Sequence, residues 1–256
     1  MKVGNQRRFN NRDRDRAIYA EIIALPPLIV RADGRNFKRL LSDDFGKPYD
    51  ERFTRGMVEA ATIFFEKSGF DPALAYIFSD EINLFFTHVP FNGRIEKLDS
   101  VIAGFLASAL TITLDFSEPL AFDTRIIPLC GQEEVVEYLA QRQAEAWRNY
   151  LNAYGFYVLR AGGLGKEEAE QHLKGMKAKE VHEMLFRRGI NLNETPAWQR
   201  RGILIAKERY EKGGYDPRAR KKVTVTRYKV VQLWDLPLFG SEEGRNLIAK
   251  LLEISY

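Results

Sequence analysis

At 256 residues, 45% of them hydrophobic and 29% charged, the chain is long enough to bury one sizeable core, or a core with a smaller appended region. The net charge of +4 suits a polyanionic partner but is modest for a nucleic-acid binder, so the basic residues have to be clustered to matter. No apolar run reads as long enough to cross a bilayer, one cysteine (Cys130) excludes an intramolecular disulfide, and three scattered histidines offer no zinc cluster. A soluble protein of the reducing cytoplasm is the expectation.

The N-terminus carries Arg7, Arg8, Arg12, Arg14 and Arg16 with no apolar stretch behind them, unlike a secretory signal, and the interleaved Asp13 and Asp15 count against organelle import. Residues 25–33 read as a strand. Asp50 then caps a helix running to about Lys67, with Phe53, Met57, Ala60, Ala61 and Phe64 at helical spacing and Gly69, Asp71 and Pro72 as its stop. Residues 74–79 and 82–87 read as a hairpin, 98–113 as a second helix and 120–128 as a further strand. That order is the split ferredoxin-like pattern, so the fold class is α+β. Helices are expected at roughly 133–153, 166–174 and 177–188, with breaks at Gly162-Gly163 and Gly189. Two strands, 202–207 and 223–233, are expected to flank a basic loop from Lys212 to Lys222, which either grips a phosphate backbone or is simply solvated. The division implied is a catalytic core over 1–130 and a helical and hairpin region over 131–256 packed on it.

Two acidic motifs end apolar strands: Arg31-Ala32-Asp33-Gly34-Arg35-Asn36-Phe37 follows Leu28-Ile29-Val30, and Ser79-Asp80-Glu81 follows Leu74 to Phe78. A strand-terminal Asp is often just a turn former or cap, and Arg31 and Arg35 are open to a salt-bridge reading. Paired carboxylates at adjacent strand ends nevertheless suit Mg²⁺, whose remaining coordination positions substrate phosphates can complete, and Gly34 leaves its backbone open to a metal or phosphate.

These motifs, with Lys47-Pro48-Tyr49-Asp50, Phe122-Asp123-Thr124-Arg125, Arg142-Gln143-Ala144, Glu183-Met184-Leu185-Phe186 and Trp198-Gln199-Arg200-Arg201-Gly202, resemble the tRNA-histidine guanylyltransferase family and its tRNA-repairing 3′–5′ polymerase relatives. The resemblance covers nearly the whole chain. It implies a catalytic core similar to the palm of template-dependent polymerases, two Mg²⁺ ions, GTP and other nucleoside triphosphates as substrates, ATP for 5′ activation, tRNA as partner and a homotetramer. Asp33, the Gly34 carbonyl and Asp80 match the family's metal ligands, and Glu81 its second essential acid. Arg31, Arg35, Asn36, Phe37, Lys47, Ser79, Arg94, Lys97, Arg125 and Asn149 are carried over as nucleotide contacts, although Phe37, Phe78 and Phe85 also read as core. Trp147, Arg148, Arg200, Arg201, Arg218, Arg220 and Lys221 are carried over as tRNA contacts.

One departure stands out. Eukaryotic histidine-tRNA enzymes carry His-Ile-Asn-Asn-Leu-Tyr-Asn, whereas this chain reads Trp147-Arg148-Asn149-Tyr150-Leu151-Asn152-Ala153, and Val181 replaces an expected lysine. That pattern resembles the archaeal and bacterial guanylyltransferase-like branch, which implies templated repair of 5′-truncated tRNA. The alternatives are addition of one extra 5′ guanosine to histidine tRNA, a nucleotidyl cyclase-like enzyme, and a non-catalytic RNA-binding protein.

Overall fold

Leu28, Ile29, Val30 and Ala32 are all completely buried in strand β1 (Leu28–Gly34), although alternate residues of a strand point to opposite faces. The sheet must therefore be covered on both sides, and the unbroken burial of every residue in β2 (Leu74–Phe78) and β3 (Glu81–Phe86) says the same. The computed structural model describes Tyr19 and residues 21–40, 45–216, 218 and 221–253. The N-terminal arginines and Arg220 lie outside them.

After β1 come a one-turn helix α1 (Phe37–Leu40) and α2 (Glu51–Lys67). The start of α2 is fixed as the sequence requires: the Asp50 carboxylate accepts the Arg52 N–H at 2.7 Å, satisfying one orphan donor of the first turn. Following β2 and β3 are α3 (Ile95–Leu114), β4 (Phe122–Pro128), the long α4 (Gln132–Ala161), α5 (Lys166–Leu173), α6 (Ala178–Arg187), α7 (Ala197–Arg201), β5 (Ile203–Asp216), β6 (Lys221–Leu233) and α8 (Glu242–Glu253). All neighbouring strands pair antiparallel in one sheet of order β4-β1-β3-β2-β5-β6. Its first four strands, with α2 and α3, form the expected βαββαβ unit.

On one face, Met57, Ala60, Ala61 and Phe64 of α2 and Leu98, Ile102, Leu106 and Leu110 of α3 pack on Leu28, Val30, Ala32, Ile82 and Leu84. On the other, Val135, Val136, Leu139 and Ala146 of α4 and Ile248, Leu251 and Leu252 of α8 cover Ile29, Leu74, Tyr76, Phe78 and Phe85. Each Val, Leu, Ile, Phe or Met among them contributes about 1.5–3 kcal/mol by leaving water. A third cluster, Tyr150, Leu151, Val181, Leu185 and Leu192, joins the far half of α4 to α6.

Four expectations need correction. α3, at 20 residues with mean hydropathy 1.4, is long and apolar enough to cross a membrane by length and composition alone, yet its apolar stripe covers the sheet. α4 continues past residue 153 to Ala161, because Gly155 is no break: it lets the helix approach Leu173 of α5, whose methyl carbon lies 2.8 Å from where a Cβ would stand. The basic segment is mostly strand, with Lys212–Asp216 in β5 and Lys221-Lys222 in β6. The Gly213-Gly214 pair that suggests a turn is held in the ladder opposite Thr224 and Val223. Helix α8 was not foreseen, although Ile248, Leu251 and Leu252 carry its helical spacing.

Candidate active site

The acidic motifs meet because the ladder puts them there. Asp33 pairs with Glu81 on β3 and with Asp123 on β4, and the Gly34 N–H donates to the Asp80 carbonyl at 2.9 Å, tying the end of β1 to the β2–β3 turn. Ser79 turns that hairpin with φ of 50°, a left-handed conformation that is uncommon outside glycine. Directly paired residues share a face, so Arg31, Asp33, Glu81, Asn83, Asp123 and Arg125 all point toward α4. From α4, Tyr138, Arg142, Glu145 and Asn149, spaced four, three and four apart on one helical face, point back.

Between them lies a polar cavity of about 370 Å³ lined by four carboxylates (Asp33, Asp80, Glu81, Glu145), three guanidiniums (Arg31, Arg125, Arg142), Phe78 and Asn149. Arg31 Nε donates to Asp33 at 3.2 Å, and an Arg125 nitrogen lies 3.7 Å from Asp123. Glu81, 5% exposed, accepts from Asn83 at 2.7 Å and from two nitrogens of Arg142, one at 2.9 Å. Burial pushes the Glu81 carboxyl up despite the hydrogen bonds and charge of Arg142, with Asp33 adding to the rise. Arg142 also stacks over Phe78 at 5.3 Å. The Tyr138 hydroxyl donates to Asn83 at 2.8 Å, and burial followed by the Glu81 charge pushes that phenol up to about 12.

A second cavity, about 170 Å³, opens on the other side of Asp80 and is lined by Lys47, Ser79, Phe45, Tyr49, Phe53 and Tyr157 among others. Lys47 is held below the usual lysine range by burial, against the opposing charge of Asp50. Asp50 is itself low: burial would raise it, but hydrogen bonds from the Gly46 and Arg52 backbones and the Arg52 side chain prevail. The loop that presents Lys47 is thus fixed to the first turn of α2. Asp80 borders both cavities, so one carboxylate faces a lysine-bearing aromatic pocket and an arginine-rich polar one.

The donors at this edge suit a hard divalent cation. Asp33 and Asp80 are half-buried beside the Gly34 carbonyl, their Oδ2 and Oδ1 accepting from Arg31 at 3.2 Å and Ser79 at 3.1 Å, whereas both Glu81 oxygens are engaged by Arg142 and Asn83. Among the described residues no three of His, Cys, Asp and Glu gather into a protein-only cage. Sparse oxygen ligation with open positions fits Mg²⁺ shared with phosphates better than a structural metal. Gly34 has a packing reason of its own, because a Cβ there would meet the Phe37 ring at 2.5 Å.

Not every candidate lies here. Phe37, 2% exposed, packs edge-on against Phe53 and Phe122 and is core that touches the second cavity at its margin. Arg35 and Asn36 are exposed just beyond β1 and line neither cavity. Arg94 and Lys97 begin α3 beside Ile23 and Ala24, at the end of the sheet where Leu28 pairs with Phe86, opposite the acids. Trp147, 37% exposed, stacks on Tyr150 with ring centres 5.5 Å apart, and Arg148 pairs with Glu145. Arg200 and Arg201 are half-buried and bind carbonyls, Thr195 at 2.6 Å and Leu236 at 2.7 Å, so they tie α7 in place. Arg218 and Lys221 are exposed at the tip of the β5–β6 hairpin.

Sequence reasoning missed Arg142, Asn83 and Tyr138 as members of the site. The signals were a lone amide between Ile82 and Leu84 in an apolar strand and the helical spacing from Tyr138 to Asn149.

Comparison with known proteins gives two adjoining matches: residues 12–130 match the family profile described as tRNAHis guanylyltransferase, and 133–233 the Thg1 C terminal domain. A probable tRNA(His) guanylyltransferase of Drosophila melanogaster is 31% identical over 193 residues, 71% of this chain and 67% of that protein. The crystal structure of the Saccharomyces cerevisiae tRNA(His) guanylyltransferase superposes with a TM-score of 0.64 at 27% identity, covering 72% of this chain and 88% of the other. A bacterial guanylyltransferase-like protein in complex with GTP shares the fold, with a TM-score of 0.68 at 24% identity, covering 91% and 93%.

Proposed function

From the premise that this chain belongs to the tRNAHis guanylyltransferase family, we propose that it is a nucleotidyltransferase that adds nucleotides to the 5′ end of tRNA in the 3′–5′ direction. The observation that carries the reading is Asp80, set between two cavities with Asp33 beside it. In the scheme, a 5′-monophosphate attacks the α-phosphate of ATP or GTP and pyrophosphate leaves. The 3′-hydroxyl of the incoming nucleotide then attacks the activated 5′-phosphate, expelling the nucleoside monophosphate. Asp33, the Gly34 carbonyl and Asp80 would hold Mg²⁺, which when bound supplies charge neutralisation at the attacking and leaving oxygens. Lys47 places a point charge against a triphosphate, while Arg31 and Arg125 face phosphate oxygens from the polar cavity. Arg142 holds Glu81, and through it the sheet edge, in position without touching the reacting atoms. A palm-like role for the βαββαβ unit, a boundary near residue 130 and assembly as a homotetramer belong to the same proposal.

The likeness to tRNA(His) guanylyltransferases favours single-guanosine addition to histidine tRNA over the templated repair that the sequence first suggested. Repair retains one specific support: Trp147, stacked on Tyr150, presents an indole face and a single donor where an imidazole could read a base. One gel assay tests both, using 5′-labelled intact histidine tRNA and several 5′-truncated tRNAs with each nucleoside triphosphate. One guanosine added to histidine tRNA alone establishes the guanylyltransferase; extension matching the opposing base across tRNA identities establishes repair. No 5′ addition to any of them refutes the function.

A further inference from the structure

A third cavity, about 340 Å³, lies outside this machinery, between the solvent side of α2, the C-terminal end of α3 and the root of β6; Arg52, Arg55, Glu59, Leu114, Gln232 and Trp234 line it. We propose that it receives the unpaired 3′ strand of the acceptor end, the C-C-A terminus common to tRNAs; the proposal rests on the tRNA reading above.

Position is the first argument. Asp50 lines the Lys47 cavity and Arg52, two residues on, lines this one, so the two are separated only by the first turn of α2. A tRNA whose 5′ end reaches Asp80 must lead its 3′ overhang away from the same end of the duplex. The second argument is the surface. The Arg55 guanidinium lies 5.1 Å over the Trp234 ring, that ring stands edge-on to Trp198, and Arg55 is 65% exposed, which leaves its outer face open to a base. Unstacked bases pair with aromatic and guanidinium planes in this way, and the stack tolerates sequence.

Polar chemistry narrows the bases. Glu59 brings a carboxylate, which repels a phosphate but accepts from an exocyclic amine, and the Gln232 carbonyl, which already accepts from Trp234 at 3.3 Å, retains a lone pair. Acceptors of this kind suit cytosine N4 and adenine N6, the amines of C-C-A.

The test is equilibrium binding of a 5′-monophosphorylated acceptor-stem hairpin, with and without its unpaired 3′ nucleotides, to the full chain and to Arg55→Ala. Trimming should weaken wild-type binding roughly tenfold. Arg55→Ala should weaken the intact hairpin by a similar factor and leave the trimmed one unchanged. Equal wild-type affinity for both hairpins, or an Arg55→Ala loss that persists on the trimmed one, would overturn the assignment. An overhang of uridines should bind several-fold more weakly than C-C-A; equal affinity would overturn the preference for amino-bearing bases. Because binding is read without turnover, failure of 5′ addition in the separate tRNA assay rejects the function and leaves this result distinguishable.

Discussion

Removing the Arg142 guanidinium, as in Arg142→Ala, would leave the Glu81 carboxyl, 5% exposed, with Asn83 as its remaining hydrogen-bond donor. Breaking one side of a buried ion pair costs about 3–5 kcal/mol when the stranded charge stays ionised. Because the Arg142 side chain keeps 19% of its surface, the lower end of that range applies. Glu81 has an escape. Its carboxyl is already raised by burial, and losing Arg142 raises it further, with each unit worth about 1.4 kcal/mol. A carboxyl whose folded pKa exceeds its unfolded value near 4.5 contributes stability that is complete below that value and lost as pH rises through the folded one. The variant should therefore be closest to wild type near about pH 5 and furthest below it near about pH 8. Urea unfolding across that interval measures the gap, and Glu81→Gln added to Arg142→Ala should close most of it by removing the charge while keeping the Asn83 bond. A deficit independent of pH, or a double variant no more stable than the single one, would refute the argument.

Asp33→Ala and Asp80→Ala should each abolish nearly all 5′ nucleotide addition, with unfolding midpoints close to wild type because both carboxylates are only half-buried; wild-type turnover from either would rule out the two-metal assignment. Gly34→Ala should cost about 1–3 kcal/mol through collision with the Phe37 ring, and Phe37→Leu in the same chain should restore part of it in thermal melts. Asp50→Ala should cost about 1 kcal/mol by uncapping α2, and because the Asp50 pKa is depressed, the wild-type advantage should shrink as pH falls through the carboxylate range.

The βαββαβ core was legible because its signals are local: apolar runs of strand length, a helix capped by Asp50 and ended at Gly69, and a hairpin turning at Ser79-Asp80. The meeting of Asp33 with Asp80 followed from that topology. What the sequence hid depends on the other face of the sheet. Arg142 stands in the sequence only as part of a family motif until α4 is laid over β3, and Arg200 and Arg201, carried over as tRNA contacts, are engaged instead by the Thr195 and Leu236 carbonyls. Arg94 and Lys97 are nucleotide contacts by family resemblance alone, and nothing in their local sequence shows that β3 carries the chain to the far end of the sheet before they occur. The hairpin was misjudged because paired glycines signal a turn in isolation but yield to thirteen residues of register in β6.

That hairpin leaves the sheet beyond Ala206, the last β5 residue paired with β2, and runs as a two-stranded ribbon from Lys207 to Asp216, roughly 30 Å at strand rise. Both outer edges of the ribbon carry backbone groups with no strand beside them among the described residues, a surface on which another ribbon can pair. Lys207, Arg209, Lys212, Lys221, Lys222, Arg227 and Lys229 outnumber Glu208, Glu211 and Asp216, so two such ribbons repel each other. The repulsion acts across solvent and shortens with ionic strength, its range falling to about 3 Å in molar salt. Self-association of this protein should then grow as salt is added, with the hairpin as the point of contact, and acidic substitutions spread along the ribbon should bring it on at low salt.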